Sequence, residues 1–275
     1  MKKQVNTLIT AILCIGFSYS SQAQLLNNLS KKLEKKADDY VSKKINEIDK
    51  KDKKNSSSLS SKKTNGPFAL QDVMDNDFSA GSIIFQDDFS TETVGNMASK
   101  WTSNGTGKVA LVEGFDGKWL QLVDQNTYKI KNNNGLPSNF TIEVDVLVLD
   151  EGDKEVALDF GFDYKKGANE HYYLAQRNPV NIEASYRFNA FNFTSNELDV
   201  KKHSTINANM SYFVNDVMKL KIWVNNEQMK VFVNNNKILD TEMTNSNTKK
   251  YFYIATENEK NKADIFISNI KITEI

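Results

Sequence analysis

Cysteine is all but missing: Cys14 is the single one in 275 residues. That excludes a disulfide framework for the body of the chain and leaves its stability to core packing. Histidine occurs only at His171 and His203. Two histidines with no partner thiol make poor prospects for zinc, and neither sits beside a nucleophile-elbow sequence of a Ser-His-Asp triad. Three prolines and twelve glycines exclude collagen-like and proline-rich chains. No charge of one sign prevails. The 35 basic and 35 acidic residues cancel, so there is no electrostatic reason to expect nucleic acid or an anionic membrane as partner. The apolar run Leu8–Phe17 has ten residues, against about 20 for a membrane span.

What is present divides the chain. Lys2 and Lys3, the apolar LITAILCIGF and the small residues of Ser21-Gln22-Ala23 have the layout of a secretory signal over residues 1–23. Cleavage before Gln24 is expected, leaving no transmembrane span. Cys14 follows Leu13, not the small residue of a lipobox, and reads as part of the signal core. Over residues 24–50, Leu26, Leu29, Leu33, Ala37, Tyr40 or Val41, Ile45 and Ile48 recur at three- and four-residue steps among charges. This predicts an amphipathic helix of near coiled-coil spacing, Leu25–Lys50. Two readings stay open: an oligomerising or docking helix, or a solvated stalk. Residues 51–80 begin with KDKKNSSSLSSKKTNGP, a flexible linker, and continue through Phe68–Ala80, where a short turn of helix is expected.

Residues 81–275 read as strands. In Asn139–Tyr164, Phe140, Ile142, Val144, Val146 and Val148 alternate with Thr141, Glu143, Asp145 and Leu147. After Glu151-Gly152-Asp153-Lys154 the alternation resumes at Val156, Leu158, Phe160 and Phe162. This predicts two antiparallel strands paired through a turn. Further strands are expected at Ser82–Gln86, Gly107–Glu113, Lys118–Val123, Tyr128–Lys131, His171–Arg177, Asn181–Phe193, Asp216–Asn225, Gln228–Asn234, Lys237–Leu239, Tyr251–Glu257 and Ala263–Thr273. Lys219, Lys221 and Lys230 should face water, and Ile222, Val224, Val231 and Val233 the core. Many short strands with Asn-, Asp- and Gly-rich turns predict an all-β fold, an antiparallel two-sheet sandwich.

Five stretches carry a resemblance: IIFQDDFSTETVG (83–95), GKWLQLVD (117–124), LPSNFTIEVDVLV (136–148), LKIWVNNEQMKVFVNNNKILD (220–240) and ADIFISNIKI (263–272). Their order resembles the concanavalin A-like lectin/glucanase superfamily, a jelly roll that includes laminin-G-like modules, and especially such modules in exported Bacteroidetes proteins. The resemblance implies a jelly roll over roughly 82–275. Its motifs mark a fold and no active site. Some such proteins carry an OmpA-type peptidoglycan-binding domain downstream, but with the last expected strand closing at Ile275, peptidoglycan binding is not implied.

Glycosidases of that superfamily place paired acids on one strand. Glu143/Asp145 and Glu197/Asp199 come near, and each lacks the final Glu, so solvated or turn acids are expected. In related sandwiches the first and last strands lie side by side, which makes Asp87, Asp88 and Asp264 candidate ligands of a structural calcium ion. The alternative is turn-capping acids. The binding candidates are aromatic: Tyr172, Tyr173, Tyr186, Phe188, Phe191 and Phe193 could stack on sugar rings, with Arg177 and Arg187 as donors, or could pad the core. Trp101, Trp119 and Trp223 are expected in the core. The expectation is an exported protein of the periplasm, outer membrane or medium, a non-catalytic recognition module with a glycan as partner. The rivals are an envelope assembly protein that binds other proteins and, behind it, a glycoside hydrolase or lyase.

Overall fold

A computed structural model of the chain describes residues 66–68, 81–150, 156–168, 180–198, 201–258 and 263–275. The expected signal segment, the 24–50 helix, nearly all of the linker and the 171–177 strand lie outside the described residues. Among the described residues fifteen strands, numbered in chain order, form two antiparallel sheets. One sheet runs β13 (Asn236–Glu242), β12 (Gln228–Val233), β11 (Val217–Asn225), β6 (Asn139–Leu149), β15 (Asp264–Glu274), β4 (Phe115–Leu122), β3 (Gly107–Val112), with β1 (Ser82–Asp87) also on β15. The other runs β10 (Lys202–Asn207), β9 (Ala190–Ser195), β8 (Val180–Ser185), β7 (Val156–Asp163), β14 (Tyr251–Asn258), β5 (Thr127–Ile130), β2 (Trp101–Ser103). Among the described residues a 3-10 turn, Met210–Phe213, interrupts the strands. The architecture is the expected two-sheet jelly-roll sandwich.

Its core is the sum of the inward halves of alternating strands. Phe140, Ile142, Val144, Val146 and Val148 of β6 are buried against Leu158, Phe160 and Phe162 of β7. Each such side chain contributes about 1.5–3 kcal/mol on burial. Asparagine does much of the turn-making in this glycine-poor chain. Among the described residues, seven of the nine non-glycine positive-φ positions are Asn, the ordinary residue that best tolerates the left-handed region. Asn234 (φ 46°) and Asn235 (φ 66°) form the two-residue β12–β13 turn, the primed geometry that matches strand twist.

Two pairings depart from expectation. β6 and β7 are not hydrogen-bonded to each other: β6 lies between β11 and β15, and β7 between β8 and β14. The chain crosses from one sheet to the other, and Phe140 meets Phe162 edge-on across the core at 5.4 Å. Strands that face one another across a sandwich carry the same alternation as strands side by side. The run 181–193 is likewise two strands, folded back so that Ser185 pairs with Ala190. Asn189, with φ 50°, closes that turn. By contrast, β1 pairs antiparallel with β15, so the first and last strands are neighbours. Ile222, Val224, Val231 and Val233 are buried, while Lys219 is exposed and Lys221 and Lys230 are half-buried on the other face.

Candidate functional site

The outer face of the β10–β2 sheet is polar, because β7, β8 and β14 send their second set of residues there. Cross-strand register aligns Thr205, Asn192, Glu183 and Asp159 in one row. A neighbouring row holds His203, Thr194, Asn181, Gly161, Tyr253 and Lys129. Gly161 is required: a Cβ there would stand 2.1 Å from the Val180 carbonyl oxygen and 2.9 Å from the Tyr253 hydroxyl. The Tyr253 side chain lies over the gap and donates to Asn181 Oδ1 at 2.6 Å, while Asn181 Nδ2 donates to Asp159 Oδ1 at 2.7 Å. Thr205 Oγ1 donates to Asn192 Oδ1 at 2.8 Å and Asn192 Nδ2 to Glu183 Oε2 at 3.2 Å. Lys129 is buried and donates to Asp163 and to the carbonyls of Lys165 and Gly167. Burial pulls the Lys129 ammonium below its usual pKa, opposed by its hydrogen bond and charge attraction to Asp163. Burial, reinforced by the charge of Asp159 across the strand, holds the Glu183 carboxyl above its usual range.

At one end of this face lies a recess of about 110 Å³. Ser185, Ala157 and Glu257 line it in register from three adjacent strands, with Glu183 one step along β8. The β8–β9 turn supplies its rim. Phe188 is 67% exposed, and the Arg187 guanidinium stands 5.3 Å from its ring centroid. An exposed ring, a cation, two carboxylates and a hydroxyl therefore converge at one shallow opening. Such a set can pack on an apolar face of a ligand and hydrogen-bond its edge.

Sequence reasoning placed Arg187 and Phe188 in the binding set, and both are at this opening. Tyr186 is a correction. Its ring is buried in the core and its hydroxyl donates to the Phe213 carbonyl at 3.4 Å, because the turn residue before Arg187 still points inward. Phe191 and Phe193 are core residues as well. Tyr172, Tyr173 and Arg177 lie outside the described residues. Glu183, Ser185 and Glu257 were missed. The polar alternation of Asn181, Glu183 and Ser185 was the signal for the first two, hidden by reading 181–193 as one strand, and Glu257 comes to them only through the pairing of β14 with β7.

The calcium set is also corrected. Asp87 is level with Ile270 on β15, and Asp264 is six residues further along, roughly 20 Å at strand rise. Asp87 is buried, accepting from Trp101 Nε1 at 3.0 Å, from the Phe89 amide at 3.3 Å and from Lys100 Nζ at 3.4 Å. Asp88 is exposed and caps Ser90, whose hydroxyl and amide hydrogen bonds hold its carboxyl below the usual range. Asp264 accepts from Gln121 Nε2 at 2.8 Å. Among the described residues no group of three or more His, Cys, Asp or Glu side chains is placed to hold a metal ion.

The paired acids are held by partners where described. Glu143 bridges Lys221 at 3.0 Å and Lys271 at 3.8 Å, and Asp145 accepts from Asn269 at 2.9 Å. Glu197 is buried and accepts from the Asn245 amide and Thr248 Oγ1. Asp199 lies outside the described residues. Trp101 is in the main core. Trp119 is buried in a separate cluster with Leu147 and Phe266 on the outer side of the β13–β3 sheet. Trp223 departs from expectation: it is half-buried on that outer side, with Lys230 Nζ 5.1 Å from its ring centroid. His203 is exposed, within hydrogen-bond reach of Thr194 and Thr205.

No protein-family model matches the chain, and no curated protein matches it in sequence. Several solved structures are similar to it. The carbohydrate-binding module CBM66 from Bacillus subtilis is 14% identical, with a TM-score of 0.43 over 65% of this chain and 99% of that one. The Emp47p carbohydrate recognition domain is 12% identical, with a TM-score of 0.49 over 69% and 94%. The VIP36 exoplasmic/lumenal domain, in its Ca2+/Man3GlcNAc-bound form, is 10% identical, with a TM-score of 0.49 over 66% and 85%.

Proposed function

We propose that this chain is a non-catalytic carbohydrate-recognition module of the concanavalin A-like type, which binds glycan at the outer face of the β10–β2 sheet. The observation that carries this reading is the exposed Phe188 ring, capped by Arg187, at the mouth of a recess lined by Glu183, Ser185 and Glu257. A pyranose has an apolar face that packs on an aromatic ring and a rim of hydroxyls that both donate and accept. The lining carries two carboxylates against one guanidinium, so the favoured ligand is neutral or amine-bearing, and uronates or sulfated sugars are repelled. The arrangement of Lys2, Lys3, the apolar run and Ser21-Gln22-Ala23 supports action outside the cytoplasm, after removal of residues 1–23.

The test is binding of the full chain to immobilised neutral, amino and acidic polysaccharides. Neutral or amino glycans retain the protein, acidic ones do not, and Phe188→Ala or Arg187→Ala weakens retention about tenfold, as loss of about 1.4 kcal/mol of ring and donor contact requires. Unchanged affinity in both variants removes the site. Terminal sequencing of the mature protein checks export: a chain starting at Gln24 is expected, and a retained Met1 contradicts it.

A further inference from the structure

A second opening, away from Phe188, lies on the flank where β1 and β15 of one sheet meet β5 of the other. It measures about 550 Å³, five times the recess beside Phe188, and falls within the roughly 300–1,000 Å³ of small-molecule sites. Its walls are of two kinds. Ile84, Phe85 and Ile272 line it from the β1 and β15 side. Ile84 is 45% exposed, and Phe85 is held edge-on by the buried Trp101 at 5.9 Å. The opposite wall is the 131–137 loop, KNNNGLP.

That loop is fixed by its own backbone. Asn132 has φ 53° and Gly135 φ 98°. Asn133 Oδ1 accepts from the Gly135 amide at 2.8 Å, and the Leu136 amide donates to the Lys250 carbonyl at 2.8 Å. Asn133 is thereby committed to the loop. The Asn132 and Asn134 amides are exposed and line the opening, each offering two donors and an acceptor. Lys131 and Glu274 are one cation and one anion, so the lining is neutral.

From this we infer a second ligand site on the β1–β5 flank, for a neutral polyhydroxylated ring such as a hexose unit. Phe85 and Ile84 take the apolar face of the ring, and Asn132 and Asn134 hydrogen-bond adjacent hydroxyls. Amides suit this because a hydroxyl pair must be met by donors and acceptors together. The site does not depend on the Phe188 reading, since the two openings share no residue.

The experiment is titration of the isotope-labelled full chain with maltose, cellobiose, lactose and a short apolar peptide, followed by the side-chain amide resonances of Asn132 and Asn134. At least one disaccharide is expected to shift both at millimolar concentration or below. Asn134→Ala, and Ile84→Arg, which fills the opening from an exposed strand position, are each expected to weaken that response at least about tenfold. Phe188→Ala leaves it unchanged. Asn132→Gly serves as a further amide deletion that keeps the positive φ. Resonances that stay still with every sugar, or that respond to the peptide alone, overturn the proposal. So does a sugar response that survives both Asn134→Ala and Ile84→Arg. A response abolished by Phe188→Ala instead assigns the sugar to the other face.

Discussion

Single residues on the β10–β2 face carry tension that titration and mutation can read. Lys129 is buried and its charge is met by Asp163 and two carbonyls. Asp163→Asn removes the counter-charge and leaves the ammonium, so a loss of about 3–5 kcal/mol is expected in urea unfolding. Gly161→Ala forces a methyl against the Val180 carbonyl and displaces Tyr253. A cost of about 1–3 kcal/mol is expected from such overpacking. Glu183 has its folded pKa raised by burial and by Asp159. The folded chain therefore holds that proton more tightly than the unfolded chain. This contribution to stability is fully present below the usual glutamate pKa and is lost as pH rises through the raised value. Glu183→Gln keeps the shape of the neutral carboxyl and has no proton to lose, so stability measured as pH rises above the usual glutamate pKa should lack that fall.

At the scale of elements, turns built on asparagine decide where strands stop. The β8–β9 hairpin closes at Asn189, whose side chain also accepts from the Met210 amide at 3.2 Å. Asn189→Gly keeps the left-handed backbone and loses only that hydrogen bond, whereas Asn189→Ala loses it and adds about 1–2 kcal/mol of backbone strain. Thermal melting should therefore rank wild type, Gly and Ala in descending order. The same turn carries Arg187 and Phe188, so the Ala variant should also weaken glycan retention by loosening the rim. The antiparallel register of β1 on β15 has a further consequence: it places Asp87 under Trp101 and away from Asp264. Adding or chelating calcium is therefore expected to leave the melting temperature of the sandwich unchanged.

At the scale of the molecule, the described strands all lie in one compact unit, Thr64–Ile275. A chain beginning at Thr64 should fold by itself, with the urea midpoint of the full-length protein. Within that unit one continuous core cluster takes residues from both sheets, from Phe89 and Trp101 to Ile272. Neither sheet can open without exposing the other. Tryptophan fluorescence and far-ultraviolet circular dichroism should report a single coincident unfolding transition. Separated transitions would show the sheets to be independent.

The all-β class, the inward set on β6 and the β11–β12 hairpin with its outward lysines were legible in the residues themselves. Each depends on side-chain chemistry repeating at a strand period, and that repeat is local. Partnership was not legible. Whether Phe162 lies beside Phe140 or across the core from it, whether the chain folds back at Asn189 within an unbroken apolar run, and whether Asp87 and Asp264 share one end of a sheet all depend on register between distant segments. Period-two alternation is unchanged by exchanging one antiparallel neighbour for another, so the sequence determined which side chains share a face of each strand. Only the tertiary structure decided which strands meet, and so which side chains gather at Phe188 and along the β1–β5 flank.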